Sequence, residues 1–319
     1  MDKKTAYLFP GQGAQYPGMA MDLSESAAVK LVFDTASDIL QMDIKELLLS
    51  DHETLKRTDI SQPAITAANL AAAAYMDERG YKAAACAGFS LGEYAALVCA
   101  GIIDTADCFR LVTARGKAMQ SAIDRLTAHG ENAETPGMAA VIGLSPVQAE
   151  ELIKQWNKTG LKDIYAANIN SPRQLTVSGT AAALAEAEKL FKEAGAKRVL
   201  RLQVAGPFHS PLMAEAVEAF EPVLETVTFR DPVIPVFSNV TGQIITSGAE
   251  AKKLAAMQII SPVRWVDVQT ALAACGIEEC FETGPGSVLQ GLWKTMENNI
   301  PVFAAEKGDL SPTTPYPGS

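Results

Sequence analysis

Gly88-Phe89-Ser90-Leu91-Gly92-Glu93 is the stretch that decides the fold of this chain. Small and apolar residues occupy positions 83–87 before it, and residues 91–100 after it have the apolar spacing of a helix. A Gly-x-Ser-x-Gly between a strand and a helix is typical of a nucleophile elbow, a sharp turn that exposes the serine hydroxyl. A bare Gly-x-Ser-x-Gly also occurs in ordinary turns, so the flanking strand and helix support the prediction that Ser90 is a nucleophile.

Strands and helices alternate on both sides of the elbow. Strands are predicted at residues 5–9, 83–87, 234–237, 279–282 and 302–305, and helices at 23–40, 62–79, 91–100, 106–126, 211–227, 248–259 and 265–275. Such alternation predicts an α/β fold with a mainly parallel sheet.

A different pattern interrupts this alternation. Residues 128–136 are polar and read as a linker, and the order that follows is βαββαβ, the ferredoxin-like split unit. Its first helix opens with Ser145, Pro146 and Gln148 as a capping box, and its last strand is predicted to alternate with Leu200, Leu202 and Val204 on one side. We therefore predict a catalytic subdomain of residues 1–127 and 205–305, an inserted subdomain of residues 128–204, and a flexible tail at 306–319.

Composition excludes several classes of protein. The 319 residues carry a net charge of −10, which disfavours general nucleic-acid binding because that needs a basic surface. No apolar run is long enough for a signal peptide or a membrane span. The five cysteines form no Cys-x-x-Cys pair, which favours buried thiols in a reducing compartment. These features predict a cytoplasmic, soluble protein.

A nucleophilic serine needs a base, and the chain contains three histidines. His52 lies in a charged stretch and His129 in the polar linker, whereas His209 lies in Gly206-Pro207-Phe208-His209-Ser210, between a strand and a helix. His209 is therefore the predicted base, against the alternative that it is an ordinary loop histidine. Spacing indicates no acidic third member: Asp231 and Glu282 are candidates only by position, and a carbonyl could orient the histidine instead.

Acyl transfer also needs donors for the oxyanion. The Leu91 backbone N–H, directly after the nucleophile, is one predicted donor. The loop Gly11-Gln12-Gly13, which follows the first strand, is the predicted source of the other, although it could be a simple tight turn.

Six motifs occur in one order along nearly the whole chain, from about residue 5 to 303, and together they resemble the malonyl-CoA:acyl-carrier-protein transacylases of fatty acid synthesis. They are Phe9-Pro10-Gly11-Gln12-Gly13-Ala14-Gln15, the elbow sequence, Arg115, Gly206-Pro207-Phe208-His209-Ser210, Gln258 before Ser261-Pro262-Val263, and Glu282-Thr283-Gly284-Pro285-Gly286. The resemblance implies an α/β-hydrolase-like body with a ferredoxin-like insert. It also implies transfer of a malonyl group from malonyl-CoA to acyl carrier protein, without a metal or bound cofactor.

The resemblance implies a role for each matching residue. Ser90 would be acylated with His209 as base, and the backbone N–H groups of Gln12 and Leu91 would form the oxyanion hole. The carbonyl of Gln258 would orient His209. Arg115 would bind the free malonyl carboxylate, because a guanidinium pairs with a carboxylate through two hydrogen bonds.

Two further positions would line the substrate site. Phe208 resembles the bulky residue associated with malonyl rather than branched units. Phe89 stands where many relatives carry His, which predicts altered affinity or water access rather than loss of the reaction. The linker at 128–136 is longer than the resemblance to the family predicts.

Three other functions stay open at the level of sequence. A discrete acyltransferase of a polyketide synthase would share every named residue. A serine hydrolase such as a thioesterase would leave Arg115 without a partner, and a non-catalytic carrier-binding subunit would have no need of the whole constellation. Because carrier proteins are typically acidic, Lys197, Arg198 and Arg201 are the predicted docking cations, although such a charge run is also typical of a plain solvated surface.

Overall fold

The computed structural model of the chain describes residues 3–128 and 135–305. His129, most of the predicted linker and the tail at 306–319 lie outside the described residues. The elements are β1 (Thr5–Phe9), α1 (Ala27–Leu40), α2 (Ile44–Leu48), α3 (Thr58–Glu78), β2 (Ala83–Gly88), α4 (Gly92–Cys99), α5 (Thr105–Ala128), β3 (Gly137–Ile142), α6 (Pro146–Thr159), β4 (Ile164–Ser171), β5 (Gln174–Gly179), α7 (Ala181–Glu193), β6 (Arg198–Arg201), α8 (Ala214–Thr226), β7 (Val236–Phe237), α9 (Gly248–Met257), α10 (Trp265–Ala274), β8 (Glu279–Glu282), α11 (Val288–Trp293) and β9 (Val302–Ala304).

The larger sheet has the order β7-β2-β1-β8-β9, and all of its strand pairs are parallel. Its central strand β1 is buried along its whole length, as expected of a strand with helices on both faces. The predicted α/β fold with a parallel sheet is confirmed. Because parallel strands end at the same edge, the elbow after β2 and the loop after β1 lie side by side.

The smaller sheet is antiparallel, with the order β4-β5-β3-β6, and its elements follow one another as βαββαβ. Helices α6 and α7 pack on it around a core that includes Ile153, Val177 and Phe191. The capping box of Ser145 and Gln148 is present at the start of α6, with Pro146 as its first residue. Both helices are amphipathic, and that periodicity made this part of the chain predictable.

Several sequence-based bounds were wrong. Strand β6 ends at Arg201, so the predicted alternation through Val204 extends beyond it; Val199 is buried, while Leu200 and Leu202 are exposed. Strand β7 is two residues long instead of four, because only Val236 and Phe237 pair with β2. The short helices α2 and α11 were not predicted, since five or six residues carry too little periodicity.

Helix α3 lies at the centre of the larger core. It begins at Thr58 and continues through Pro63, whereas the sequence suggested a start at residue 62. Most of its residues are buried, many of them alanines, so close packing outweighs the hydrogen bond that the proline cannot donate. Among the described residues, no helix combines the length and hydropathy needed to cross a membrane.

Candidate active site

Ser90 lies at the tip of a tight turn between β2 and α4, at the carboxyl edge of the parallel sheet. Its φ of 50° is in the left-handed region, which non-glycine residues seldom adopt and which marks a nucleophile elbow. A Cβ on Gly88 would overlap the backbone of Gly92, and a Cβ on Gly92 would overlap the carbonyl of Phe9. The turn therefore needs glycine at both positions, as its sequence suggested.

His209 and Ser90 are 119 residues apart in sequence and in hydrogen-bond contact, with Ser90 Oγ 2.7 Å from His209 Nε2. The other ring nitrogen, Nδ1, lies 3.0 Å from the carbonyl oxygen of Gln258 and 3.2 Å from that of Ser261. Carbonyl oxygens only accept hydrogen bonds, so Nδ1 carries the proton and Nε2 is free to accept one from the serine. The structure thus orients the ring as a general base requires.

Burial controls the charge of His209. The side chain is 4% exposed, and this burial, together with the nearby Arg115 cation, lowers the pKa of His209 to about 4. The imidazole is therefore neutral at physiological pH and able to accept a proton.

Neither acidic residue considered for orienting His209 does so. Asp231 accepts a hydrogen bond from the backbone N–H of Gly248, and Glu282 accepts from the N–H groups of Leu289 and Gln290 in α11. Both carboxyls stabilise local backbone at other places. The alternative that a carbonyl orients the histidine is the one that the geometry matches.

Arg115 lies on α5 with 1% of its surface exposed. Its Nη1 donates to Gln62 Oε1 at 2.9 Å and its Nη2 to Gln258 Oε1 at 3.0 Å. Burial lowers the pKa of Arg115, and among the described residues its Nε has no hydrogen-bond partner. The buried Glu93 carboxyl is close enough to act on this cation, but no carboxylate lies within ion-pair distance of the guanidinium in 3–128 and 135–305. The site thus holds a buried cation that an anionic group could pair with.

Gln258 links these groups. Its backbone carbonyl accepts from His209, its Oε1 accepts from Arg115, and its Nε2 donates to the Ser90 carbonyl at 3.1 Å. The residue is 1% exposed. One glutamine thus contacts the nucleophile, the base and the buried cation.

The loop after β1 approaches the elbow closely. A Cβ on Gly11 would overlap the carbonyl of Phe89, so only glycine allows this approach. Among residues 3–128 and 135–305, neither the Gln12 N–H nor the Leu91 N–H donates to a backbone or side-chain acceptor. The Leu91 N–H, directly after Ser90, is thus an unused donor, and the unused Gln12 N–H lies on the loop that packs against the elbow; their role as an oxyanion hole stays a prediction.

The two predicted substrate-site phenylalanines are the residues directly before the dyad: Phe89 precedes Ser90, and Phe208 precedes His209. Phe208 is buried in the larger core, and its carbonyl accepts a hydrogen bond from Ser178 Oγ at 2.5 Å. The Phe89 ring is half-buried and packs edge-on against Trp265, with ring centroids 5.4 Å apart. The contacts of both phenylalanines with substrate stay a prediction.

A cavity of about 280 Å³ reaches His209 from the side of the smaller sheet. Its walls include Ile153 of α6, Ala166 of β4 and Ile260, with Lys154 and Tyr165 also on its lining. His209 therefore lies at a cavity whose walls include residues of α6 and of β4 in the smaller sheet.

Sequence reasoning missed Gln62, Asn239 and Ser261 as members of the site. Asn239 accepts a hydrogen bond from the Ser90 N–H at 2.6 Å and follows β7 at the same carboxyl edge as the elbow. That position, a polar residue just past a parallel strand, is a signal that could have identified Asn239. Ser261 stood in the motif that follows Gln258, although no role was assigned to it, and nothing local distinguishes Gln62 from an ordinary helix residue.

A parallel α/β sheet that carries a nucleophile elbow, a neutral histidine and free donors for an oxyanion defines a serine-dependent acyl-transfer enzyme. The chain belongs to the acyl transferase domain family, whose model matches residues 6–308, and within it to the malonyl-CoA:acyl-carrier-protein transacylases.

Two curated relatives illustrate the similarity. The chain is 37% identical over 303 residues to the malonyl CoA-acyl carrier protein transacylase of Bacillus subtilis strain 168, covering 94% of this chain and 93% of that protein. It is 37% identical over 302 residues to the corresponding protein of Escherichia coli K12, covering 94% of both.

Solved structures agree with this assignment. An acyl carrier protein S-malonyltransferase from Vibrio cholerae matches with a TM-score of 0.86 at 37% identity, over 95% of this chain and 97% of that one. A malonyl-transacylase solved in complex with a type II polyketide synthase acyl-carrier protein matches with a TM-score of 0.85 at 36% identity, over 94% of each chain. These structures share the α/β architecture with one parallel and one antiparallel sheet.

Proposed function

We propose that this enzyme transfers the malonyl group from malonyl-CoA to the phosphopantetheine thiol of acyl carrier protein through a malonyl ester on Ser90. The observation that carries the proposal is the buried Arg115 cation, which lies two hydrogen bonds from Ser90 through Gln258. An acyl chain that ends in a carboxylate satisfies this cation, whereas a plain acyl chain does not. The names of the relatives support the same reaction.

In the first half-reaction, Ser90 Oγ attacks the thioester carbonyl carbon while its proton moves to His209 Nε2. The carbonyl oxygen becomes an oxyanion, stabilised by the N–H groups of Leu91 and Gln12. When the carbon–sulfur bond breaks, His209 returns the proton to the sulfur of CoA. The malonyl group is then held as an ester of Ser90.

In the second half-reaction, the thiol of the carrier protein gives its proton to His209 and its sulfur attacks the Ser90 ester. The same N–H groups stabilise the second oxyanion. Breakage of the ester bond returns the proton from His209 to Ser90 Oγ, which regenerates the enzyme. No cofactor takes part in the proposed reaction.

Arg115 positions the malonyl group by pairing with its free carboxylate. The carboxamides of Gln62 and Gln258 hold the guanidinium in place before substrate arrives. Phe208 and Phe89 would shape the acyl site near the α-carbon. Because one extra methyl group changes binding by only about 1–3 kcal/mol, we expect preference for malonyl over methylmalonyl units and not strict exclusion.

The proposal also covers the subdomains, the cellular location and the surface that receives the carrier protein. We assign an α/β-hydrolase-like subdomain to residues 1–127 and 205–305 and a ferredoxin-like subdomain to residues 128–204, with the enzyme acting in the cytoplasm. Lys197, Arg198 and Arg201 are exposed on and beside β6, and none forms an ion pair with a described carboxylate. They are the surface proposed to receive an acidic carrier protein.

The pathway supplied is proposed to be fatty acid synthesis. The similarity to a malonyl-transacylase bound to a polyketide synthase carrier protein favours one second candidate, a discrete enzyme of polyketide synthesis. The chemistry at Ser90 would be the same in both. The relative rates of transfer to fatty acid and polyketide carrier proteins would separate them.

The first test of the proposal is mass spectrometry of the intact protein and its peptides after brief incubation with malonyl-CoA, with acetyl-CoA in parallel. We expect one malonyl adduct on the peptide that contains Ser90, and far less label from acetyl-CoA. Equal labelling by acetyl-CoA would remove the role of Arg115 and leave Ser90 as nucleophile. Release of malonate without a stable adduct would instead indicate a hydrolase.

A further inference from the structure

Asn239 is a fully buried residue just beyond β7, and each of its polar groups has a partner. Its backbone N–H donates to Glu93 Oε2 at 2.7 Å, and its carbonyl accepts from the Arg264 N–H at 2.9 Å. Its side chain accepts from the Ser90 N–H at 2.6 Å and donates to the Gly88 carbonyl at 2.7 Å. Glu93 and Arg264 therefore fix the backbone of Asn239, and its side chain forms two hydrogen bonds with the elbow.

The carboxamide bridges two backbone groups on either side of Phe89. The last pair between β2 and β7 joins Ala87 to Phe237, so hydrogen bonding between these strands ends two residues before Asn239. Beyond the end of β7, the Asn239 side chain takes over this hydrogen bonding to the β2 side, where the β7 backbone no longer pairs with the elbow turn. It contacts the segment at which Ser90 takes its left-handed φ of 50°.

This contact also determines which donors face the substrate. The Ser90 N–H is occupied by Asn239 Oδ1, whereas the Leu91 N–H has no acceptor among the described residues. A peptide plane rotated at Ser90 would move both the Leu91 N–H and the Ser90 Oγ that lies 2.7 Å from His209. One side chain thus controls the nucleophile and its oxyanion donor together.

We propose that Asn239, held in place by Glu93, is a positioning residue for acyl transfer, fixing the backbone of Ser90 so that its hydroxyl meets His209 and the Leu91 N–H meets the oxyanion. Asn239 touches no reacting atom. The acylation readout rests on the proposed function, whereas the reactivity of Ser90 toward a fluorophosphonate does not depend on it.

The test compares Asn239→Ala with the unaltered protein. The rate of Ser90 labelling by a fluorophosphonate and the rate of malonyl-Ser90 formation, measured by rapid quench and intact mass, should each fall about 100-fold, as expected when reacting groups are misplaced. The Kd of malonyl-CoA, measured on Ser90→Ala with and without Asn239→Ala, should stay within about threefold because Asn239 does not touch the substrate. Gln269→Ala is the matched control, since Gln269 is a fully buried carboxamide that has no hydrogen-bond partner among the described residues.

Asn239→Asp supplies a second test with a pH signature. The protonated carboxyl keeps one acceptor for Ser90 and one donor for Gly88, whereas the ionised form loses the donor. The charged and titratable groups around this site are Glu93 and Arg264, which contact the Asn239 backbone, together with Arg115 and His209. Because Glu93 would titrate together with the new carboxyl, the rate is compared with that of the native protein at each pH and the series is repeated in the Glu93→Gln background. The relative labelling rate should therefore rise as the pH falls.

Three outcomes would overturn the inference. They are fluorophosphonate labelling of Asn239→Ala within threefold of the native rate, a parallel loss of labelling and malonyl-CoA binding, and a pH-independent relative rate for Asn239→Asp. If Asn239→Ala does not fold, the pH dependence of the labelling rate of Asn239→Asp is the test of the positioning role. Fluorophosphonate labelling that depends on Asn239, in a protein that malonyl-CoA does not acylate, would retain the positioning role and reject the proposed function.

Discussion

Arg115 donates a 3.0 Å hydrogen bond to the side chain of Gln258, the residue whose backbone carbonyl accepts from His209. The buried cation and the base are therefore linked through one residue, and burial together with this cation lowers the pKa of that base. Substrate charge at Arg115 should consequently affect the chemistry at His209 as well as binding.

Arg115→Ala should reverse the preference for malonyl-CoA. Loss of a buried, hydrogen-bonded partner for a carboxylate costs about 2–5 kcal/mol, so kcat/KM for malonyl-CoA should fall by at least about 30-fold. The kcat/KM for acetyl-CoA should stay the same or rise. Arg110→Ala on the same helix is the matched control, because Arg110 is exposed and pairs with Asp107. Equal losses with both thioesters would contradict the carboxylate role.

The pH dependence of Ser90 reactivity should show a histidine with an unusually low pKa. His209 accepts a proton only when neutral, and its pKa is lowered to about 4, so fluorophosphonate labelling should stay constant as the pH falls to about 5. An ordinary histidine, of pKa about 6.5, would already have lost most of this reactivity. In Arg115→Met the pKa of His209 should rise because a nearby cation is removed, and the loss of labelling should begin at higher pH. Identical profiles would contradict this coupling.

Glu93→Gln should change the pH dependence of stability. Burial raises the pKa of Glu93 to about 7, so between its unfolded pKa near 4.5 and pH 7 the folded state binds more protons than the unfolded state. The contribution of Glu93 to stability is thus present at low pH and lost as the pH rises through 7. Glutamine cannot ionise, so the free energy of unfolding of Glu93→Gln should rise relative to that of the native protein as the pH increases, by up to about 3 kcal/mol.

Urea unfolding of both proteins at about pH 5 and pH 8 measures this difference. Glu218→Gln, an exposed carboxyl on α8, controls for the general effect of removing one negative charge. A Glu93→Gln difference that is equal at the two pH values would show that Glu93 does not titrate in this range.

Gly11→Ala should disrupt the approach of the β1 loop to the elbow. The added Cβ would overlap the carbonyl of Phe89, so backbone must move, at a cost of about 1–3 kcal/mol in stability. Because the same loop carries the Gln12 N–H, acylation of Ser90 should also slow. Gly291→Ala is the control: a Cβ there meets nothing within 4 Å, and alanine in a helix should stabilise by about 0.5–1 kcal/mol. Equal effects of the two substitutions would contradict the close approach.

The order of elements could be read from the sequence where periodicity was strong. The amphipathic helices α6 and α7 and the strand before the elbow were predicted because local spacing decides which residues face a core. The bounds of β6 and β7 were predicted poorly, since both lie where pairing with a neighbour, and not hydropathy, decides how far a strand extends.

The active-site residues also divide into those that the sequence identified and those that only the structure identified. The sequence by itself determined the elbow at Ser90, because the glycines that permit the turn are its immediate neighbours, and it left His209 as the only histidine in a suitable loop. From the residues alone an acid or a carbonyl could orient that histidine, and the tertiary structure decided for the carbonyls of Gln258, which the family resemblance had implied, and Ser261. Only the tertiary structure brought the Asn239 side chain to the Ser90 N–H. The physical reason is distance along the chain: Ser90 and Asn239 are 149 residues apart, so their hydrogen bond leaves no local pattern and exists only once β2 and β7 pair.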